Sequence, residues 1–339
     1  MILHPKPSPR HHGTPAGLAV AAAAAPVPGW LRRAVPDAQS LAGHGVEDIA
    51  ITAGAATSAL DHVVRREEKW AGAWRQRLAL AAAAVTARQA GRIEDEAALR
   101  DAVLLTKPGD DVGPAGRLLL AWRRLAATPA EKLLTEAGIG AVLDDFGLAR
   151  DDRRVSELTV GLHQLVASGG TVAMLTGAIA AAERYGFGRP LGAFIADALL
   201  AQRLGWIHAV PLLGAEVIAG LGAPRPRRSG TGIAAASIEI DPERAKSLLA
   251  AQARAALRAI DVSAELARRA ERLLAVAPKL RAKGADTVVQ KLLSGDAMVA
   301  SDPVAGMSDR ALRRLFDRLV DLGAVRELSR RPTFRIYGL

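Results

Sequence analysis

The sequence contains no cysteine and few aromatic residues. The absence of cysteine excludes disulfide bonds, cysteine-ligated zinc, iron–sulfur clusters and thiol nucleophiles. Aromatic residues make up 4% of the 339 residues although 50% are hydrophobic, and most of the hydrophobic residues are Ala and Leu. Because Ala and Leu lose little side-chain entropy in a helix, whereas strands favour β-branched and aromatic residues, the composition predicts a mainly α-helical protein.

Long uninterrupted hydrophobic segments are also scarce. Residues 158–182 contain no Asp, Glu, Lys or Arg and are long enough to cross a bilayer, but Gly169 and Gly170 interrupt them, so we expect two buried helices instead. Residues 18–25 follow basic residues as in a signal peptide, yet they are mostly Ala and follow a proline-rich leader. We therefore expect no membrane association and a cytoplasmic location, which the lack of cysteine fits.

The positive charge is concentrated in the last third of the chain. Residues 1–224 contain 23 Lys and Arg against 22 Asp and Glu, whereas residues 225–339 contain 22 against 13, so nearly all of the net charge of +10 lies there. Such an asymmetry indicates a polyanionic partner such as DNA, although an arginine-rich composition that only improves solubility would also explain it.

Four regions follow from the sequence pattern. Residues 1–40 contain seven prolines and little apolar periodicity, so we expect a flexible Pro/Ala-rich arm. Residues 41–223 alternate helical apolar periodicity with short loops and predict an all-α body. Residues 224–284 predict a basic linker followed by helices, and the sequence leaves open whether these pack on the body or reach toward DNA. Residues 285–339 differ in character and form a fourth region.

The last region predicts a small winged helix-turn-helix of three helices and a β-hairpin. A helix from Thr287 is followed by a minimal helix over 302–306 and a strong helix over 309–322 that Ser308 caps. After Gly323 the apolar period changes from 3.6 to about 2, which predicts a hairpin. The third helix would be the recognition helix, and the hairpin would be the wing. The residues that we expect to contact DNA are Ser308, Arg310, Arg313, Arg314, Arg318, Arg330 and Arg331.

Two resemblances accompany this pattern. The segment Leu-Phe-Asp-Arg-Leu-Val-Asp-Leu-Gly-Ala-Val from Leu315 resembles the winged helices at the C-termini of many bacterial proteins, including Fic-type proteins. The Fic nucleotide-transfer motif, a His followed by Gly-Asn-Gly-Arg, is absent, which argues against AMP transfer. The stretches at residues 70–78, 91–101, 108–117 and 313–339 resemble an alphaproteobacterial family of unknown function, numbered 1403. That resemblance implies a bacterial, often plasmid-associated protein and no particular activity.

Candidate catalytic and metal sites are weak. Acidic residues at 94–101 could act in acid–base chemistry, but Glu96 and Arg100 at i,i+4 spacing predict a simple ion pair on the surface of a helix. The histidines have no close-spaced partner ligands, so we expect no metal and no cofactor. We therefore expect a non-enzymatic DNA-binding protein, a transcriptional regulator or plasmid-associated factor, which could form a homodimer through the body. The alternatives are an adaptor whose winged helix docks protein and, less favoured, an enzyme with an unrecognised site in the body.

Overall fold

The structure, a computed structural model, describes residues 27–37, 40–216, 241–329, 331 and 333–339. Most of the expected arm and all of residues 224–240 of the expected linker lie outside these residues. The described chain forms thirteen α-helices and three short strands. The helices are α1 (Gly29–Ala34), α2 (Val46–Arg65), α3 (Ala71–Gln89), α4 (Glu96–Leu104), α5 (Gly113–Ala127), α6 (Ala130–Leu133), α7 (Glu136–Phe146), α8 (Asp152–Ser168), α9 (Thr171–Arg184), α10 (Gly188–Leu204), α11 (Pro242–Val276), α12 (Ala285–Ser294) and α13 (Asp309–Asp321). The strands are β1 (Met298–Val299), β2 (Arg326–Glu327) and β3 (Ile336–Gly338).

The mainly helical architecture that the composition predicts is confirmed. Helix α3 lies at the centre of the body, where Ala79, Leu80, Ala82 and Ala83 are all fully buried. It packs against α4, α5, α11 and α12. Alanine on this helix lets its neighbours approach closely, so a core with few aromatic residues can still be dense. The end of the expected arm also belongs to the body, because Leu31 of α1 is buried.

Helix α11 packs on the body along α2 and does not project from it. Asp241 caps its N-terminus by accepting a hydrogen bond from the Glu243 N–H at 3.0 Å. The buried face of the helix is mostly Ala and Leu. Two of its basic residues, Arg254 and Arg258, form ion pairs with Glu216 at 3.1 and 2.7 Å. Part of the positive charge of α11 is therefore neutralised by Glu216 of the body.

Residues 285–339, which we call the C-terminal module, contain α12, α13 and a small antiparallel sheet. The strand order is β1-β3-β2, and Tyr337 of β3 lies opposite both Met298 and Glu327. The predicted hairpin corresponds to β2 and β3. The sequence did not predict β1, because two residues are too short to show alternation. Phe316 of α13 stacks on Tyr337 with ring centroids 4.3 Å apart, which fastens the helix to the sheet.

The short helix predicted over 302–306 is wrong. The chain forms a turn there, closed by a bridge between Val304 and Met307. The Asp302 carboxylate accepts the Val299 N–H at 3.2 Å, and Gly306 has a φ of +76°. A side chain that bonds the preceding backbone and a left-handed glycine both favour a turn over a helix. The module therefore has two helices and three strands where three helices and a hairpin were expected.

Asp296 joins the module to the body. Its side chain is fully buried at the end of α12 and accepts hydrogen bonds from Arg77 of α3 and, at 2.6 Å, from Arg100 of α4. Burial alone would raise the pKa of Asp296, but the two guanidinium groups lower it overall. The predicted Glu96–Arg100 pair is thus wrong, because Arg100 points into the interface between body and module.

Candidate nucleic-acid interface

Helix α13 presents four arginines on the face opposite its buried stripe. Leu312, Leu315, Phe316 and Leu319 are buried against the rest of the module. The arginines of the opposite face are exposed: Arg310, Arg313, Arg314 and Arg318. None of the four forms an ion pair with a carboxylate in the part of the chain that the structure describes. Their guanidinium groups are therefore available to an external anion.

The N-terminus of α13 is built as the sequence predicts. Ser308 is exposed, and its Oγ accepts the Ala311 N–H at 3.3 Å, which confirms it as the N-cap. Asp309 lies in the first turn, where a carboxylate stabilises the positive end of the helix dipole. The Ser308 hydroxyl is thus already used in capping.

Three basic residues that the sequence analysis did not select extend this surface. Lys279, Arg281 and Lys283 are exposed in the segment between α11 and α12. Lys279 and Arg281 line one pocket together with Arg318. The sequence Lys-Leu-Arg-Ala-Lys, in which basic residues alternate with apolar ones, could have indicated this part of the surface. It lies outside the helices and strands that the sequence predicts. We call the combined set the basic surface: Lys279, Arg281, Lys283, Arg310, Arg313, Arg314 and Arg318.

Several exposed arginines of the body are ion-paired, unlike those of the basic surface. Near the start of α8, Arg150 pairs with Asp152 at 2.7 Å, Arg153 with Glu157 at 2.9 Å and Arg154 with Asp151. Carboxylates partly neutralise those cations, although exposed pairs contribute little to stability. On α13 the acidic residue Asp317 turns instead toward Arg335 of the hairpin, at 3.8 Å. The positive charge of the basic surface is therefore less compensated by carboxylates than that of the arginines near the start of α8.

The hairpin that the sequence predicts as a wing lies partly against the body. Arg331 donates to the Asp101 carboxylate of α4, and this pair spans the module and the body. Arg330, the other tip residue predicted to contact DNA, lies outside the described residues. The predicted contact arginines of α13 are therefore exposed and unpaired among the described residues, whereas Arg331 is paired with Asp101 of the body.

A groove separates α13 from the hairpin. Its volume is about 460 Å³, and Arg313, Asp317, Phe334 and Arg335 are among the residues that line it. Phe334 is 66% exposed and has a φ of +53°, a backbone conformation that costs energy for a residue with a side chain. An exposed aromatic held in this way is typical of a contact residue.

The described residues contain few other features that are typical of binding or catalytic sites. No three side chains of His, Asp or Glu lie close enough together in them to hold a metal ion. None of the helices within the described ranges is long and apolar enough to cross a membrane. The tryptophans Trp70, Trp74, Trp122 and Trp206 are buried in the core.

Comparison with known proteins gives a family and no function. The model of a family described as a protein of unknown function (DUF1403) matches residues 19–339, so the chain belongs to this family. No curated protein and no solved structure matches the chain. The description of the family names no activity.

Proposed function

We propose that this member of the DUF1403 family binds DNA through its C-terminal module, which acts as a winged helix with α13 as the recognition helix. The observation that carries the proposal is the basic surface, seven exposed Lys and Arg side chains that form no ion pair within the described residues. Each phosphate that such a cation neutralises releases condensed counterions, and this release drives non-specific binding.

The topology of the module supports the proposal. In a winged helix a strand after the first helix pairs with the second strand of the hairpin, which gives the order β1-β3-β2 seen in the module. The recognition helix of such a domain enters the major groove with its N-terminal half. Arg310, Arg313 and Arg314 lie in that half of α13 and would meet guanine edges or phosphates, since a guanidinium group suits both.

The replacement of the second helix by the turn at Val304–Met307 departs from the usual pattern. In a helix-turn-helix the helix before the recognition helix crosses the DNA backbone. We assign that role to Lys279, Arg281 and Lys283, which carry the positive charge that a phosphate contact requires. Lys279 and Arg281 line a pocket with Arg318 of α13, and Lys283 lies next to Gly306 in the turn before α13. A DNA-binding protein of this kind would act as a transcriptional regulator or plasmid-associated factor.

The test is a fluorescence-anisotropy titration of random-sequence duplex DNA at two salt concentrations. We expect the wild type to bind with micromolar affinity and to lose affinity steeply as salt increases. An Arg310/Arg313/Arg314→Ala variant is expected to lose most of this binding. A Lys279/Arg281/Lys283→Ala variant is expected to lower the slope of log K against log salt by about one unit for each phosphate contact removed.

The control is an Arg150/Arg153/Arg154→Ala variant, which removes the same charge from an exposed, ion-paired part of the body. It should bind DNA as the wild type does. Equal losses in all three variants would mean that net charge alone attracts DNA and would contradict a specific interface. Absence of binding at low salt would reject DNA as the partner.

The second candidate is a protein-docking adaptor, and Phe334 favours it. The aromatic ring lies exposed beside the groove of the module, and aromatic residues and arginines dominate the binding energy of protein interfaces. A Phe334→Ala variant distinguishes the two functions, because it leaves the charge of the basic surface unchanged. Unaltered DNA binding by this variant supports the first proposal. Phe334 would then contact a partner other than DNA.

A further inference from the structure

A pocket on the surface of the body lies between α6, α8, α10 and the segment that follows α10. Its volume is about 500 Å³, which falls in the range of small-molecule sites. Hydrogen bonds tie two of its sides together, because the Ala130 N–H at the start of α6 donates to the Ile207 carbonyl oxygen at 2.8 Å and Pro129 forms a β-bridge with His208. The fold itself therefore forms the pocket, as is usual for small-molecule sites.

The lining of the pocket is mostly apolar, and part of it is exposed to water. Its buried apolar side chains are those of Leu134, Leu162, Leu199 and Trp206. Val166 of α8 and Ile207 also line the pocket, and they are 37% and 59% exposed. A ligand with an apolar part would remove this apolar surface from water, which favours binding.

Three side chains that line the pocket present hydrogen-bond acceptors. Glu131 of α6 and His163 of α8 are exposed, and neither forms an ion pair or a hydrogen bond within the described part of the chain. A carboxylate only accepts hydrogen bonds, and a neutral imidazole offers one acceptor nitrogen. Gln202 of α10 donates from Nε2 to the Ala130 carbonyl oxygen at 2.7 Å, so its Oε1 remains as an acceptor close to α6.

Two donors of the lining are already used within the protein. The Thr135 hydroxyl donates to the Lys132 carbonyl oxygen at 3.0 Å, and the Trp206 indole N–H donates to the Asp61 carboxylate at 2.8 Å. Among the described residues that line the pocket, none is Lys or Arg, and Glu131 supplies the one carboxylate. An unpaired carboxylate with further acceptors and no basic side chain of this kind suits a cation that donates hydrogen bonds.

We propose that this pocket binds a small primary amine with an apolar body. The ammonium group has three donors, and it pairs with the Glu131 carboxylate and donates to the acceptors of His163 and Gln202. The apolar part of the ligand covers Val166 and Ile207. The proposal does not depend on DNA binding, because the pocket lies in the body and contains none of the residues of the basic surface.

The test compares three probes of similar length with the full-length protein at pH 8: hexylamine, hexan-1-ol and hexanoate. Affinities are measured by saturation-transfer NMR titration at low salt. We expect hexylamine to bind about tenfold more tightly than hexan-1-ol, and hexanoate to bind most weakly. Because the net charge of the chain is +10, non-specific attraction would favour hexanoate instead. Equal affinities for the amine and the alcohol, or no binding of the amine, would overturn the proposal.

Glu131→Gln keeps the size of the side chain and removes its charge. This variant is expected to lose the preference for hexylamine and to bind hexan-1-ol as the wild type does. The matched control is Glu136→Gln, because Glu136 is also an exposed acid in the first turn of a helix, α7, but does not line the pocket. The control should bind all three probes as the wild type does. A preference that persists in Glu131→Gln, or that both variants lose equally, would overturn the proposal.

Ile207→Ser tests the apolar part of the site. The side chain is exposed, so we expect its replacement to leave the melting temperature nearly unchanged. The variant should bind both hexylamine and hexan-1-ol roughly threefold more weakly, since less apolar surface is removed from water, and it should keep the preference for the amine. Unchanged affinities for both probes would contradict the site.

Discussion

The carboxyl group of Asp197 is fully buried in α10 and bonds to the backbone of a neighbouring segment. It accepts the Leu212 N–H at 2.8 Å and the Leu213 N–H at 3.1 Å. Burial raises the pKa of Asp197 to about 8, although the backbone N–H groups of residues 212–214 oppose the shift. The group fixes the chain after α10 against α3 and therefore contributes to the fold in a manner that depends on pH.

We expect this carboxyl group to make the stability of the protein fall as pH rises. The folded pKa lies above the unfolded value of about 3.9, so between roughly pH 4 and pH 8 the folded state keeps a proton that the unfolded state has lost. The free energy of unfolding then decreases by up to about 1.4 kcal/mol per pH unit in that window. Asp197→Asn, which resembles the protonated form, should match the wild type near pH 3, where both states are protonated, and exceed it increasingly toward pH 8.

Urea denaturation of both proteins across this pH range measures the effect. An exposed substitution, Asp152→Asn, is the control and should leave the profile of the wild type unchanged. Parallel profiles of the wild type and Asp197→Asn would mean that the backbone N–H groups keep the carboxylate ionised in the folded protein.

Residue roles that depend on distant partners were not predictable from the sequence. The local spacing of Glu96 and Arg100 predicted a surface ion pair, but the partner of Arg100 is Asp296, 196 residues further along the chain. No local pattern distinguishes an arginine that points into an interface from one that points to solvent. In contrast, the N-cap role of Ser308 was predicted correctly, because an N-cap bonds only to residues of its own helix.

At the scale of elements, the helices were the most predictable part. The apolar stripe of α13 follows the helical period closely, and the observed helix ends within one residue of the predicted end. The segment around Val304 was mistaken for a helix because Asp-Pro is a common helix start. The structure shows that the Asp302 carboxylate accepts the Val299 N–H, a local turn that the Asp-Pro dipeptide alone does not encode.

The contact between α3 and α12 depends on a single glycine. A Cβ atom at Gly72 would lie 2.7 Å from the Ser294 carbonyl oxygen and 2.8 Å from the Ser294 Cα. Both atoms belong to backbone, so neither can rotate away. Gly72 therefore sets how closely the module approaches the body.

Gly72→Ala is expected to destabilise the protein by about 2 kcal/mol, as overpacking of a fixed contact does. The matched control is Gly161→Ala in the interior of α8, where a Cβ would meet nothing within 4 Å. That substitution should stabilise the protein by about 0.5–1 kcal/mol, since alanine favours helix. Chemical denaturation of both variants measures the signs, and a loss of stability in both, or in neither, would contradict the geometry.

At the scale of the whole molecule, the sequence did not predict how its regions are arranged. The change of apolar period near Gly323 predicted the hairpin, and the boundary predicted at the proline- and glycine-rich segment after Pro224 lies outside the described residues. The position of α11 was left open because an amphipathic helix has the same period whether its apolar face meets the body or a partner. The structure resolves this, since α11 packs along α2 and also donates from Arg269 to the Leu339 carbonyl oxygen in the module.

The body and the module therefore share one hydrophobic core, which extends from Leu31 to Leu339. Asp296 and Gly72 both lie at their junction. A DNA-binding module joined in this way would not move freely on a linker, and its orientation would follow the body. A homodimer formed through the body would then hold the two copies of α13 at a fixed spacing, as binding to paired half-sites on DNA requires.

This coupling predicts that body and module unfold in a single transition. All five tryptophans lie between residues 30 and 206, so their fluorescence reports on the body. Because the chain lacks cysteine, a dye on Ser301→Cys reports on the module alone. In urea the two signals should give the same midpoint, which is the test of a cooperative transition.

Asp296→Asn leaves Arg77 and Arg100 buried without their carboxylate, which costs about 3 kcal/mol. In that variant the dye should report unfolding at a lower urea concentration than tryptophan does. Separate midpoints already in the dye-labelled protein with Asp296 intact would mean that the module folds independently and that the buried carboxylate does not couple it to the body.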